Sequence, residues 1–78
     1  MKLVVKYFGM IAEAIGKHEE QLEITGNSIL ELDTFLKNKY AKLESINYKF
    51  AVNQALVDGI KLLEENDEIA LLPPFAGG

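Results

Sequence analysis

The sequence predicts an α+β domain, a mixed sheet of four to five strands packed on one main helix. Two observations predict it. Five short segments alternate their apolar residues with period two, as half-buried strands do. One longer segment repeats apolar residues at spacings of three and four, which places them on a single helical stripe. One stripe needs one surface to lie on, so helix and sheet form two layers.

The first strand spans Lys2 to Phe8. Leu3, Val5 and Tyr7 share one face; Lys2, Val4, Lys6 and Phe8 share the other. Met10 to Ile15 is a helical stub with Ile11, Ala14 and Ile15 on one side, and Gly16 is placed to end it. Glu19 to Ile24 returns to period two, with Leu22 and Ile24 inward and Glu23 outward. Thr25-Gly26-Asn27 is turn chemistry.

Ser28 to Glu31 matches the S-x-x-E capping box, in which serine and glutamate satisfy orphan N–H groups at a helix start. Ile29, Leu32, Leu36, Tyr40 and Leu43 follow as the stripe. Lys37, Lys39 and Lys42 fall late, at the negative end of the helix dipole. Tyr48 to Asn53 is a strand with Phe50 and Val52 on one face. Asn53-Gln54 is a turn or bulge before the short strand Ala55 to Val57. Asp58-Gly59 is another turn, Leu62 and Leu63 are expected to plug the core, and Glu68 to Leu72 is the last strand. Ile69 and Leu71 face one way there, Ala70 and Leu72 the other.

This order is that of the β-grasp (ubiquitin-like) fold. A ferredoxin-like fold needs two full helices, and Met10 to Ile15 is only a stub. The chain is read as one domain over 1–78, with a flexible C-terminal tail over 73–78.

Composition narrows the function. The net charge is -4, from eight lysines, no arginine and twelve acids. That argues against nucleic-acid binding, which favours a basic surface with arginine for phosphate and base contacts. No cysteine is present, so disulfides, thiolate metal sites and cysteine nucleophiles are excluded. A small domain without disulfides suits a reducing compartment, and the expected location is cytoplasmic. Neither a signal peptide nor an apolar run near the roughly 20 residues of a membrane span is read.

The domain itself offers little chemistry. His18 is the lone histidine and has no companion ligands for a metal. Glu19-Glu20 and Glu64-Glu65 read as solvated surface, and the glycines form no phosphate-cradling pattern. No catalytic residue, bound cofactor or metal is expected within the chain.

The segment LLPPFAGG, 71–78, stands apart. Pro73 and Pro74 fix φ and hold Leu72 extended, so the last strand leads into a stiff stalk. Pro73 to Gly78 reaches at most about 20 Å. Gly77 and Gly78 lack Cβ atoms and can thread a narrow channel. The payload is the α-carboxylate of Gly78. A carboxylate is a poor electrophile, but a partner using ATP can convert it to an acyl-adenylate. A sulfur donor then leaves a thiocarboxylate; an amine leaves an amide.

Three stretches carry a resemblance: AVNQALV (51–57), NDEIALLPPFAGG (66–78) and the opening KLVVKYFGMIAEAIG. Together they resemble the MoaD branch of the MoaD/ThiS sulfur-carrier family, the small subunits of molybdopterin synthase. The resemblance spans the chain, and its terminal motif is the most specific part. It implies a carrier with no catalysis of its own. An E1-like adenylyltransferase would activate Gly78 with ATP, and a sulfur donor system would convert it to a thiocarboxylate. The tail would enter the large subunit of molybdopterin synthase, in a heterotetramer, and pass sulfur to cyclic pyranopterin monophosphate. Gly78 is then the covalent site. Gly77, Ala76, Phe75, Pro74 and Pro73 thread or position the tail, and Phe8, Leu56 and Leu72 form a docking patch. The alternatives are a thiamine-pathway carrier with the same tail chemistry, a ubiquitin-like modifier joining Gly78 to lysines, and a plain interaction module.

Overall fold

The computed structural model describes residues 1–74; Phe75, Ala76, Gly77 and Gly78, and the expectation of a flexible tail over them, lie outside the described residues. The elements follow the order read from the sequence. They are β1 (Lys2–Tyr7), α1 (Gly9–Ile15), β2 (Glu19–Glu23), α2 (Ile29–Lys39), a 3-10 helix (Ala41–Ser45), β3 (Lys49–Val52), β4 (Ala55–Val57) and β5 (Glu68–Leu72). One five-stranded sheet has the order β2-β1-β5-β3-β4. Among the described residues only β1 and β5 run parallel, with Val5 opposite Ile69 and Tyr7 opposite Leu71. The other three pairs are antiparallel, so the sheet is mixed, with the β-grasp arrangement.

Alternation decides which face is dry. Leu3, Val5 and Tyr7 of β1, Leu22 of β2, Phe50 and Val52 of β3, and Ile69 and Leu71 of β5 are buried together. Ile29, Leu32 and Leu36 of α2 close over them, joined by Ile11, Leu43 and Leu63. No helix of the described residues is long and apolar enough to cross a membrane.

The serine–glutamate cap forms, with the glutamate reaching one residue past Ser28, to Asn27. The Ser28 hydroxyl accepts from the Glu31 N–H at 3.2 Å, and Glu31 Oε1 accepts from the Asn27 N–H at 3.1 Å. Gly16 ends α1 with φ +88, and its N–H donates to the Ala12 carbonyl. Asn53 and Gln54 both take positive φ, +48 and +74, and close the β3–β4 hairpin as a two-residue turn. Such turns match the twist of the strands they join. Asn53 also fixes the start of β5: its side-chain oxygen accepts from the Glu68 N–H, and its amide donates to Asp67, both at 3.0 Å.

Four details depart from the sequence reading. The stripe does not stay on one helix: α2 stops at Lys39, Tyr40 turns extended, and Leu43 returns to the core from the 3-10 helix. Leu63 is buried but Leu62 is 64% exposed. An isolated bridge from Leu62 to Ser28 holds this segment extended, and neighbours in extended chain point oppositely. In α1, Ala12 is buried with Ile11, whereas Ala14 and Ile15 are half-buried. The fourth is Glu20. It is no solvated carboxylate; its side chain is only 12% exposed.

Candidate functional site

The sheet face away from α2 carries the residues expected to dock. Alternation puts Val4, Lys6 and Phe8 there from β1 and its continuation, with Glu68, Ala70 and Leu72 from β5, Lys49 and Ala51 from β3, and Leu56 from β4. The register lines up a row across four strands: Lys6 beside Ala70, Ala70 beside Ala51, Ala51 beside Leu56. Ala51 is buried yet stands apart from the core cluster on the other side. The face therefore has a shallow centre of small residues.

Larger apolar groups surround that centre. The Phe8 N–H donates to the Leu71 carbonyl at 3.3 Å, which extends the β1–β5 ladder one residue and sets Phe8 beside Leu72. Phe8 is 45% exposed, Leu56 is 62% exposed and Leu72 is half-buried. Phe8 and Leu72 are thus brought together, while Leu56 lies two strands from Leu72 in the next row, roughly 12 Å away at ordinary strand spacing. Lys6, bridged to Glu68 at 3.4 Å, and Lys49 supply charge around the patch.

Leu72 is also the last residue in register, opposite Lys49. Pro73 and Pro74 follow directly, so the stalk begins at the margin of this face. Pro73 is half-buried and Pro74 exposed. The remaining tail positions read from the sequence, Phe75, Ala76, Gly77 and Gly78, are outside the described residues.

Elsewhere the described residues offer no catalytic constellation. They contain no group of three or more histidine, cysteine, aspartate or glutamate side chains that could hold a metal. His18 is exposed, and its backbone carbonyl accepts from the Tyr7 N–H at 2.8 Å. Glu65 accepts from the Lys2 N–H at 2.9 Å. A surface groove of about 1020 Å³ runs between α2 and the β3–β4 edge, past Leu30, Asp33, Tyr48 and Ile60. Its Asp33 is already engaged by the Tyr48 hydroxyl and by Lys37.

The sequence reading missed one polar cluster. Glu20 Oε2 accepts from the hydroxyls of Tyr7 and Tyr40, and Oε1 faces the ammonium groups of Lys17 at 3.2 Å and Lys39 at 3.5 Å. Burial disfavours the charge of Glu20, but the hydrogen bonds from Tyr40, Tyr7 and Lys17 and the charge of Lys39 outweigh it and hold the carboxyl below its usual range. Burial, and then Glu20, push the Tyr7 phenol far above the ordinary tyrosine range. A signal for this cluster was in the sequence: two tyrosines on apolar faces each need a partner for the hydroxyl.

The family model described as the ThiS family matches residues 5–78. The molybdopterin synthase sulfur carrier subunit of Mycobacterium tuberculosis is 33% identical over 82 residues, covering 100% of this chain and 99% of that protein. A Pyrococcus furiosus structure named molybdopterin converting factor subunit 1 superposes with a TM-score of 0.90 at 24% identity, over 96% of this chain and 99% of that one. A complex of subunits 1 and 2 of the molybdopterin-converting factor from Helicobacter pylori contains a chain matching at TM-score 0.69 and 31% identity, over 100% of both chains.

Proposed function

The chain belongs to the ThiS family, and on that premise we propose that it is the sulfur carrier subunit of a molybdopterin synthase. One observation carries the reading: the full-length 33% identity to a molybdopterin synthase sulfur carrier subunit. The match of the family model through Gly78 supports giving the tail the central role.

In this reading the domain recognises and the partners catalyse. An E1-like adenylyltransferase joins the Gly78 carboxylate to the α-phosphate of ATP, and pyrophosphate leaves. A sulfur nucleophile at the oxidation level of sulfide attacks the acyl carbon, AMP departs with the bonding pair, and a thiocarboxylate remains. The open sheet face, through Phe8, Leu56 and Leu72, docks on the large subunit, two carriers to a dimer of large subunits. The Helicobacter pylori structure, a complex of subunits 1 and 2 of the molybdopterin-converting factor, supports a partner subunit. Apolar centres ringed by charge suit such interfaces. Pro73 and Pro74 aim the stalk, Phe75 and Ala76 continue it, and Gly77 lets the terminus pass where a side chain would clash. Sulfur then passes to cyclic pyranopterin monophosphate.

Reconstitution tests this. The chain, ATP, an adenylyltransferase and a sulfur donor are expected to give a species heavier by one oxygen-for-sulfur exchange. With the large subunit and pyranopterin precursor, that species is expected to yield molybdopterin, and a chain lacking Gly77 and Gly78 to yield none. Thiazole without molybdopterin would assign the chain to thiamine synthesis. Lysine conjugates alone would make it a modifier.

A further inference from the structure

Gly9 meets two demands at once. It opens α1 with φ +56, the left-handed region that L side chains rarely adopt. A Cβ built there would lie 3.0 Å from Cγ of Pro73 and 3.9 Å from its Cδ. The first demand belongs to the fold: β1 must turn away into α1 after Phe8. The second concerns the root of the stalk. Where β1 turns off, β5 runs on through Leu72, and the Pro73 ring lies against bare Gly9 backbone. We propose that Gly9 is a positioning residue for the tail, setting the direction in which Pro73-Pro74 leaves the sheet.

The root of the stalk has little freedom to yield. Leu72 is held in register opposite Lys49, so the base of the stalk cannot slide. Pro73 has a fixed φ and cannot rotate away from an approaching atom as a flexible side chain would. A methyl-sized group at residue 9 therefore displaces the ring by a few tenths of an ångström. Two successive prolines carry that change in direction outward along the stalk, where it grows with distance. Small misplacements of a reacting group are costly; about 1 Å can lose roughly a hundredfold in rate.

The consequence for activity rests on the carrier reading; the geometry does not. The full chain carrying Gly9→Asn separates the two demands. Asparagine tolerates the left-handed region better than other side chains, yet it brings the Cβ. Pro73→Ala removes both ring atoms that the Cβ would meet. Sulfur transfer to the pyranopterin precursor, in the presence of the large subunit, is measured for the native chain, each single variant and the pair, alongside thermal unfolding. Gly9→Asn is expected to slow transfer about tenfold in the native background while the domain stays folded, and to add little to whatever loss Pro73→Ala causes alone, because the ring atoms its Cβ would meet are gone. Native-like transfer by Gly9→Asn, or the same roughly tenfold loss when it is added to Pro73→Ala, would overturn the inference and leave Gly9 a purely structural turn residue. A native chain that carries no sulfur sinks the carrier reading instead. Nuclear Overhauser contacts then decide the geometry, as they do if Gly9→Asn fails to fold. They are expected between the Gly9 α-protons and the Pro73 ring of the native chain, and their absence overturns the inference.

Discussion

Tyr7 donates its hydroxyl to Glu20 Oε2 across the β1–β2 pair at 2.5 Å, and Tyr40, from the end of α2, reaches the same oxygen at 2.6 Å. The two rings meet edge to face with centroids 6.2 Å apart. One carboxylate thus ties an edge strand, a central strand and the exit of the main helix together. Among the described residues no buried side-chain polar atom lacks a hydrogen-bond partner, and this cluster is one place where that required a non-local solution.

Removing that carboxylate leaves the buried Tyr7 hydroxyl without its acceptor. Orphaning a buried polar group costs about 1–3 kcal/mol. Glu20→Ala is therefore expected to lower the melting temperature by about 10 °C, since each kcal/mol moves a domain of this size by about 4–8 °C. Tyr7→Phe is expected to cost less, because Glu20 keeps Tyr40 and its lysines. Thermal unfolding followed by circular dichroism compares the two.

The same cluster gives stability a pH dependence. The folded-state carboxyl of Glu20 lies below its usual range, so its contribution is complete above the unfolded value of about 4.3. It is lost as pH falls through the lower folded value. Tyr7 works in the other sense: its raised phenol contributes below the unfolded value of about 10 and loses that contribution as pH rises. Denaturant unfolding across pH is expected to show a shallower acid limb for Glu20→Gln and a shallower alkaline limb for Tyr7→Phe. Unchanged limbs would remove these groups from the account.

The start of α2 depends on three residues. Ser28→Ala is expected to cost about 1 kcal/mol through the lost cap. Gly26→Ala is expected to act through Glu31, because a Cβ at 26 would come within 2.7 Å of Glu31 Cβ and 2.6 Å of its carboxyl, displacing the group that bonds Asn27. Gly26→Ala and Glu31→Ala together should then cost less than their sum in denaturant unfolding.

The hairpin turn leaves room for improvement. Gln54 holds φ +74, where a side chain is strained by about 1–2 kcal/mol. Gln54→Gly gives the Asn-Gly pair preferred in such turns, and the melting temperature is expected to rise by a few degrees, offset in part by glycine's larger entropy loss.

Leu56 is the most exposed member of the proposed docking patch. Leu56→Lys is expected to leave thermal stability nearly unchanged while weakening binding to the large subunit about tenfold or more, as loss of an apolar anchor in an interface does. Titration calorimetry measures it. Undiminished binding would move the docking face elsewhere on the chain.

Most of the fold was legible before any coordinates. Period-two alternation in KLVVKYF and a three–four stripe from Ile29 report local burial directly, because side-chain direction follows from backbone type. Phe8, Leu56 and Leu72 fell on the open face for the same reason. What was not legible depended on partners distant in sequence. Glu20 looked like half of a charged surface pair because its acceptor role comes from Tyr7 on the next strand and Tyr40 some twenty residues on. Leu62 and Leu63 looked equivalent until the bridge to Ser28 fixed which one turned inward.

By itself, the sequence determined the element order, the dry faces of β1, β2, β3 and β5 and the placing of Pro73 and Pro74 directly after the last strand, because each is written in residue types and spacings a few positions apart. Only the tertiary structure decided that β5 lies parallel to β1. That single pairing sets Phe8 beside Leu72 and brings Pro73 to within 3.0 Å of where a Gly9 side chain would begin. The reason is physical: periodicity is a property of one segment, whereas closeness between residues 9 and 73 exists only once the sheet has chosen its neighbours.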